Sequence, residues 1–146
     1  MIERFTPKAV LDTNVFISGL ISVNSPPQQV IDAWMDDLFT LVTSLYLVQE
    51  LTHVLTYPHI ADRLRLSDTE LEAILAAFVS QAKVVPGELE LPGVTSDPKD
   101  DPVVACAVEG EADYIVSGDQ DLLALEIYKD IQIITPRQFV ECLSNF

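Results

Sequence analysis

Six acids stand where a fold could gather them, although the chain spreads them from residue 12 to residue 121. Asp12 ends the apolar run Ala9-Val10-Leu11. Glu50 follows "TSLYLVQ", Asp100 and Asp101 precede Pro102, and Asp119 and Asp121 follow "YIVS" after a single glycine. Each has an ordinary use. Asp12 stands where an aspartate caps a helix, and Asp101 beside Pro102 is better explained as a cap than as a ligand. Glu50 borders a leucine stripe and Asp121 precedes "LLALEI", both places for a solvated carboxylate. Collected at one spot, such acids repel and raise one another's pKa until a cation intervenes. Mg²⁺ or Mn²⁺ prefers oxygen ligands and keeps several waters. A site of that kind suits phosphoryl transfer, in which the metal activates water and offsets charge on the phosphate.

Positioning these acids requires particular elements. Short β-branched runs at 9–11, 39–44, 83–85, 114–117 and 131–135 read as strands, and helical patterns fill 26–37, 44–55, 67–81, 101–110 and 135–143. Ser44 and Asp101 are the expected N-caps of two helices, "SDTE" at 67–70 is a capping box, and Gly110 is the expected stop of the 101–110 helix. Strands apolar on both faces and alternating with helices predict a parallel sheet covered on each side. The fold class is therefore α/β, a three-layer α/β/α sandwich, with residues 1–146 as one domain. In an open parallel sheet, ligands sit at the carboxyl ends of the strands where strand order reverses. If the strands are parallel, Asp12, Glu50, Asp100 or Asp101, and Asp119 share one edge. Residues 86–98, "PGELELPGVTSDP", are expected to form a long, mobile loop.

The bulk composition narrows the classes. With 49% hydrophobic residues and 21% charged ones, the chain is globular rather than disordered. No apolar run is long enough to span a membrane, and "MIERFTPKAVL" makes a poor signal peptide, so a soluble cytoplasmic protein is expected. Cys106, Cys142, His53 and His59 lack the spacing of metal or nucleophile sites and read as ordinary side chains. The net charge of −15 argues against a simple basic cradle for nucleic acid, since Lys and Arg normally neutralise the phosphates. Among eight basic residues, Arg63, Arg65, Lys99 and Arg137 are the candidates for holding a polyanion.

Four segments in order, "VLDTNVFISGL", "TSLYLVQELTHVL", "DPKDDPVVACAVEGEADYIVSGDQDLL" and "IITPRQFV", resemble the motifs of the PIN-domain ribonucleases, and more narrowly the toxin branch of toxin–antitoxin systems. The resemblance runs from about residue 9 to 141. It implies a five-stranded parallel sheet and Mg²⁺- or Mn²⁺-dependent cleavage of single-stranded RNA. It matches Asp12, Glu50 and Asp119 to family acids, Asp100 to the third acid with Asp101 as alternative, and Asp121 to an accessory one. Asp12, Asp100 and Asp119 would hold the metal, Glu50 would complete the site, and Ser117 and Asn14 would orient water or phosphate. Hydrolysis would leave 5′-phosphate and 3′-hydroxyl ends. The implied partners are a cognate antitoxin, for which an acidic toxin suits a basic protein, and a second copy of the chain.

Two other classes compete. A phospho-acceptor domain or Mg²⁺-dependent phosphatase would use Asp12 or Asp119 as nucleophile. "IQIIT" however brings no strand-end lysine, and "DTNVF" lacks the second aspartate of D-x-D. A binding module that kept the fold and lost catalysis is the other alternative, against which all four acids remain in place.

Overall fold

The computed structural model describes residues 5–146. Six strands form one sheet: β1 (Lys8–Leu11), β2 (Thr40–Ser44), β3 (Lys83–Val85), β4 (Tyr114–Val116), β5 (Ile127–Tyr128) and β6 (Ile131–Ile134). The helices are α1 (Thr13–Ile21), α2 (Pro26–Met35), α3 (Leu45–Val54), α4 (Pro58–Ala61), α5 (Asp68–Ser80), α6 (Asp101–Glu109), α7 (Gln120–Leu123) and α8 (Pro136–Leu143).

Strand order is β3-β2-β1-β4-β6-β5. Five strands run parallel, and β5 pairs antiparallel with β6. The α/β sandwich is as expected, but the sheet has six strands rather than five. β5 is only two residues long, and its turn uses Lys129 and Asp130 at φ 48° and 66°. Two consecutive left-handed residues make a hairpin turn that Asn-Gly would signal and Lys-Asp does not.

Alternation along the strands divides the core. Ala9, Leu11, Leu41 and Val116 face one layer, where Phe16, Trp34, Leu51, Phe78 and Phe139 arrive from α1, α2, α3, α5 and α8. Val10, Val42, Ile115 and Ile133 face the other, against Val103, Val104 and Ala107 of α6. α1 and α2 meet at Gly19, where an added Cβ would stand 2.8 Å from the Pro27 carbonyl oxygen. Only glycine permits that approach.

The local signals explain the helix boundaries. Ser44 Oγ accepts from Leu47 N to start α3, and Ser67 with Glu70 forms the capping box of α5. Gly110 ends α6. The expected cap of α6 is corrected: Asp100 occupies the N-cap position, Asp101 lies inside the first turn, and neither side chain caps the helix.

Candidate active site

The sheet topology builds the site. β1 continues outward to β2 and β3, after which the chain returns to place β4 on the other side of β1. The order reverses between β1 and β4, and the loops leaving those two strands diverge there to form a crevice. Leu11 pairs with Val116, so the next residues, Asp12 and Ser117, emerge side by side. Asp12 N donates to the Val116 carbonyl at 3.0 Å, which fixes the start of the loop.

Asp12 stands at the N-cap position of α1, but its side chain makes no cap bond. Its Oδ2 instead accepts from Ser117 Oγ at 2.8 Å. Asp12 is 7% exposed, and its carboxyl is pushed above the usual range. Burial is the main cause; the Ser117 bond opposes it and the Asp119 charge adds to it. Ser117 is fully buried and also accepts from Asp119 N at 2.9 Å. Its one proton is committed to Asp12, so Ser117 positions that acid and has no free donor for water or phosphate. Asn14 is exposed and, with Ser18, Gly118 and Asp119, borders a recess of about 270 Å³.

The structure separates the two candidates at the start of α6. Asp100 is 7% exposed, and its Oδ2 has no hydrogen-bond partner among the described residues. Its carboxyl is pushed up to about 7, first by burial, then by the charges of Asp119, Asp12 and Asp97. The proximity of the Asp119 side chain adds a last, smaller upward push. Asp101 turns away. Its carboxylate accepts from Gly93 N at 2.9 Å, from Thr95 N at 2.8 Å and from Thr95 Oγ1 at 2.7 Å. These bonds hold its carboxyl below the usual range, those from Thr95 contributing most. They also tie down the loop at 86–98. Glu109 does the same by accepting from Gly87 N and Leu89 N, both at 3.0 Å.

Asp119 Oδ1 accepts from Asp121 N at 2.8 Å, while Asp121 Oδ1 accepts from Ser96 Oγ at 2.7 Å. Glu50 is half-buried on α3, and its Oε2 accepts from Thr13 Oγ1 at 3.0 Å. The tightest group is one that sequence reasoning passes over in part: carboxylate oxygens of Asp97, Asp100 and Asp121 lie within 4.8 Å of one another. Asp97 could have been found from its spacing. Asp100 N donates to the Asp97 carbonyl, so the two acids of "DPKD" sit on one turn. Thr13, inside "DTN", is the other residue not singled out. A set of carboxylates around a buried, unpartnered oxygen fits a hard divalent cation with oxygen ligands.

A mainly parallel α/β sheet with acids at its switch point defines a class of protein suited to binding a divalent cation. Residues 8–121 match the PIN domain family, and the chain belongs to that family. PIN domains are generally nucleases, hydrolases that typically use divalent metals. An uncharacterized protein of Methanocaldococcus jannaschii is 28% identical over 152 residues, covering 99% of this chain and 96% of its own length. No helix among the described residues is long and apolar enough to cross a membrane.

Proposed function

We propose that this protein is a Mg²⁺- or Mn²⁺-dependent endoribonuclease that hydrolyses phosphodiester bonds of single-stranded RNA. The observation that carries the reading is Asp100. A packed core gains nothing from an acid buried with an unpartnered oxygen beside two further acids, whereas a cation site requires it. Asp12, Asp100 and Asp119 would hold the cation and Glu50 would complete the set, with Asp97 and Asp121 at its flank. The cation, when bound, supplies a Lewis acid that activates water and offsets charge on the scissile phosphate.

The chain's own residues do the rest. Ser117 holds the Asp12 carboxylate in one orientation, and Thr13 holds that of Glu50. Burial and the neighbouring acids push the Asp100 carboxyl up to about 7, so only part of the population is ionised at neutral pH before the site is loaded. Asn14, exposed at the rim of the recess beside Asp119, offers an amide donor to a phosphate oxygen. Asp101 has no part in this set, because its oxygens are used by the loop.

A second part of the proposal is that the enzyme is the toxin of a cytoplasmic toxin–antitoxin pair and able to form a homodimer; the net charge of −15 supports only its restraint by a basic antitoxin. Cleavage of a single-stranded RNA panel with either metal tests the first part. Wild-type protein should yield 5′-phosphate products and Asp12→Asn should not; cleavage by Asp12→Asn, or none by the wild type, rejects the nuclease. A small basic open reading frame directly upstream, whose product blocks cleavage, is the expected result for the second part.

A further inference from the structure

Both histidines of the chain lie on one exposed stretch beside a tyrosine and two arginines. His53 is on α3, Tyr57 stands between α3 and α4, and His59 is in α4. The His53 and Tyr57 rings meet edge to face with centroids 5.2 Å apart, and the Tyr57 and His59 rings stack at 5.9 Å with 23° between their planes. All three are exposed, Tyr57 to 39%, so this row of rings does not serve the core. Nor is the Tyr57 ring needed by α4. Tyr57 starts that helix through its carbonyl, which accepts from Ile60 and Ala61, and its side chain makes no cap bond. Arg63 and Arg65 follow, also exposed, with Arg63 N bonded to the Ile60 carbonyl.

The row is continuous with the acid site. Glu50 and His53 are three residues apart on α3 and therefore neighbours on one helix face. Glu50 in turn accepts from Thr13, the residue after Asp12.

We propose that His53, Tyr57 and His59 form a stacking platform for the bases of a single-stranded nucleic acid strand, with Arg63 and Arg65 meeting its phosphates beyond the rings. The proposal rests on the nuclease reading of the adjacent site. It also answers the difficulty posed by a chain with 23 acidic and eight basic residues. Nucleic-acid affinity usually comes from phosphate neutralisation, which this surface supplies sparingly. Base–aromatic stacking needs only a π-face, tolerates any sequence, and contributes at each ring that a base covers. Arg63 and Arg65 can stack as well as pair with phosphate. Such a strand would have its bases on the platform and its backbone leading past Glu50 into the carboxylates.

The test is binding of a labelled decauridylate to the full-length Asp12→Asn protein with Mg²⁺, followed by fluorescence anisotropy. It is compared with an abasic decamer carrying the same phosphates. Adding Tyr57→Ala should weaken decauridylate binding by about tenfold. Adding Tyr57→Trp should preserve the affinity, and the new indole emission should be quenched on binding. The abasic strand should bind the parent more weakly than decauridylate binds the Tyr57→Ala variant, because it forfeits stacking on all three rings. With two arginines on the phosphates, the log–log dependence on salt should have a slope of about −1.4. Equal binding of the two strands, or unchanged affinity in Tyr57→Ala with no quenching in Tyr57→Trp, overturns the platform and favours a protein partner for this face. Wild-type cleavage alongside that result would leave the nuclease standing. Quenched binding with no cleavage in either metal would leave a nucleic-acid-binding surface without the nuclease.

Discussion

Asp100 and Asp101 occupy consecutive positions at the start of α6, are 7% and 8% exposed, and differ in everything else that matters to a carboxylate. Asp101 faces the 86–98 loop and accepts three hydrogen bonds from Gly93 and Thr95, which favour its charged form. Asp100 faces Asp12 and Asp119, has an oxygen with no partner among the described residues, and resists ionising. Successive residues of a helix point about 100° apart, so one rotation step separates an acid that stabilises a loop from an acid held in reserve for a ligand. Burial alone therefore does not mark a functional carboxylate. What marks it is burial without donors, among like charges.

That contrast can be broken from either side. The largest effect is expected on activity: Asp100→Asn should lower metal-dependent cleavage by at least about 100-fold, the upper end of what loss of a ligand-supporting group costs. Asp101→Asn should stay within a few-fold of wild type; equal losses in the two variants would erase the distinction. Next comes cation affinity. Thr13→Val removes the donor that orients Glu50 and should weaken Mg²⁺ binding by about tenfold in calorimetry. Unaltered affinity would remove Glu50 from the set.

The smaller effects concern stability. Asp101→Ala strands the buried Thr95 donors and should lower the melting temperature by about 5 °C while exposing the loop to protease. Asp100 should do the opposite in metal-free protein. Its pKa is raised from 3.8 to about 7 on folding, so the folded state binds its proton more tightly than the unfolded state does. Its stabilising contribution is complete below about pH 4 and is lost as pH rises through about 7. Metal-free protein should therefore melt at progressively lower temperature across that interval, relative to Asp100→Asn. Saturating Mg²⁺ should remove the difference, because the cation stabilises the charged form. A flat difference between the two proteins over that range would contradict the assigned surroundings of Asp100.

Much of the fold is legible in local signals. The capping residues Ser44, Ser67 and Thr135 start helices where their side chains accept from the third residue on. The five parallel strands follow from short β-branched runs between helical patterns. The missed strand β5 follows from a turn whose residues adopt left-handed φ without glycine or asparagine, so no local turn signal announces its pairing with β6. The loop at 86–98 shows the same limit. Its composition reads as mobile, yet two acids of α6, Asp101 and Glu109, accept from four of its main-chain donors among the bonds that hold it. Those partners lie 6 to 22 residues away, beyond the reach of any local pattern.

The sequence by itself determined which acids follow strands and that parallel strands would deliver them to one edge. Periodicity and caps are local properties, and the carboxyl edge of a parallel sheet follows from them. Only the tertiary structure decided which oxygens remain free. Whether Asp100 or Asp101 faces the crevice, whether Ser117 serves Asp12 or a substrate, and whether Asp97 joins the group depend on side-chain direction and on donors brought from distant segments. A carboxylate's character is set by what surrounds it, and the surroundings exist only once the chain has folded.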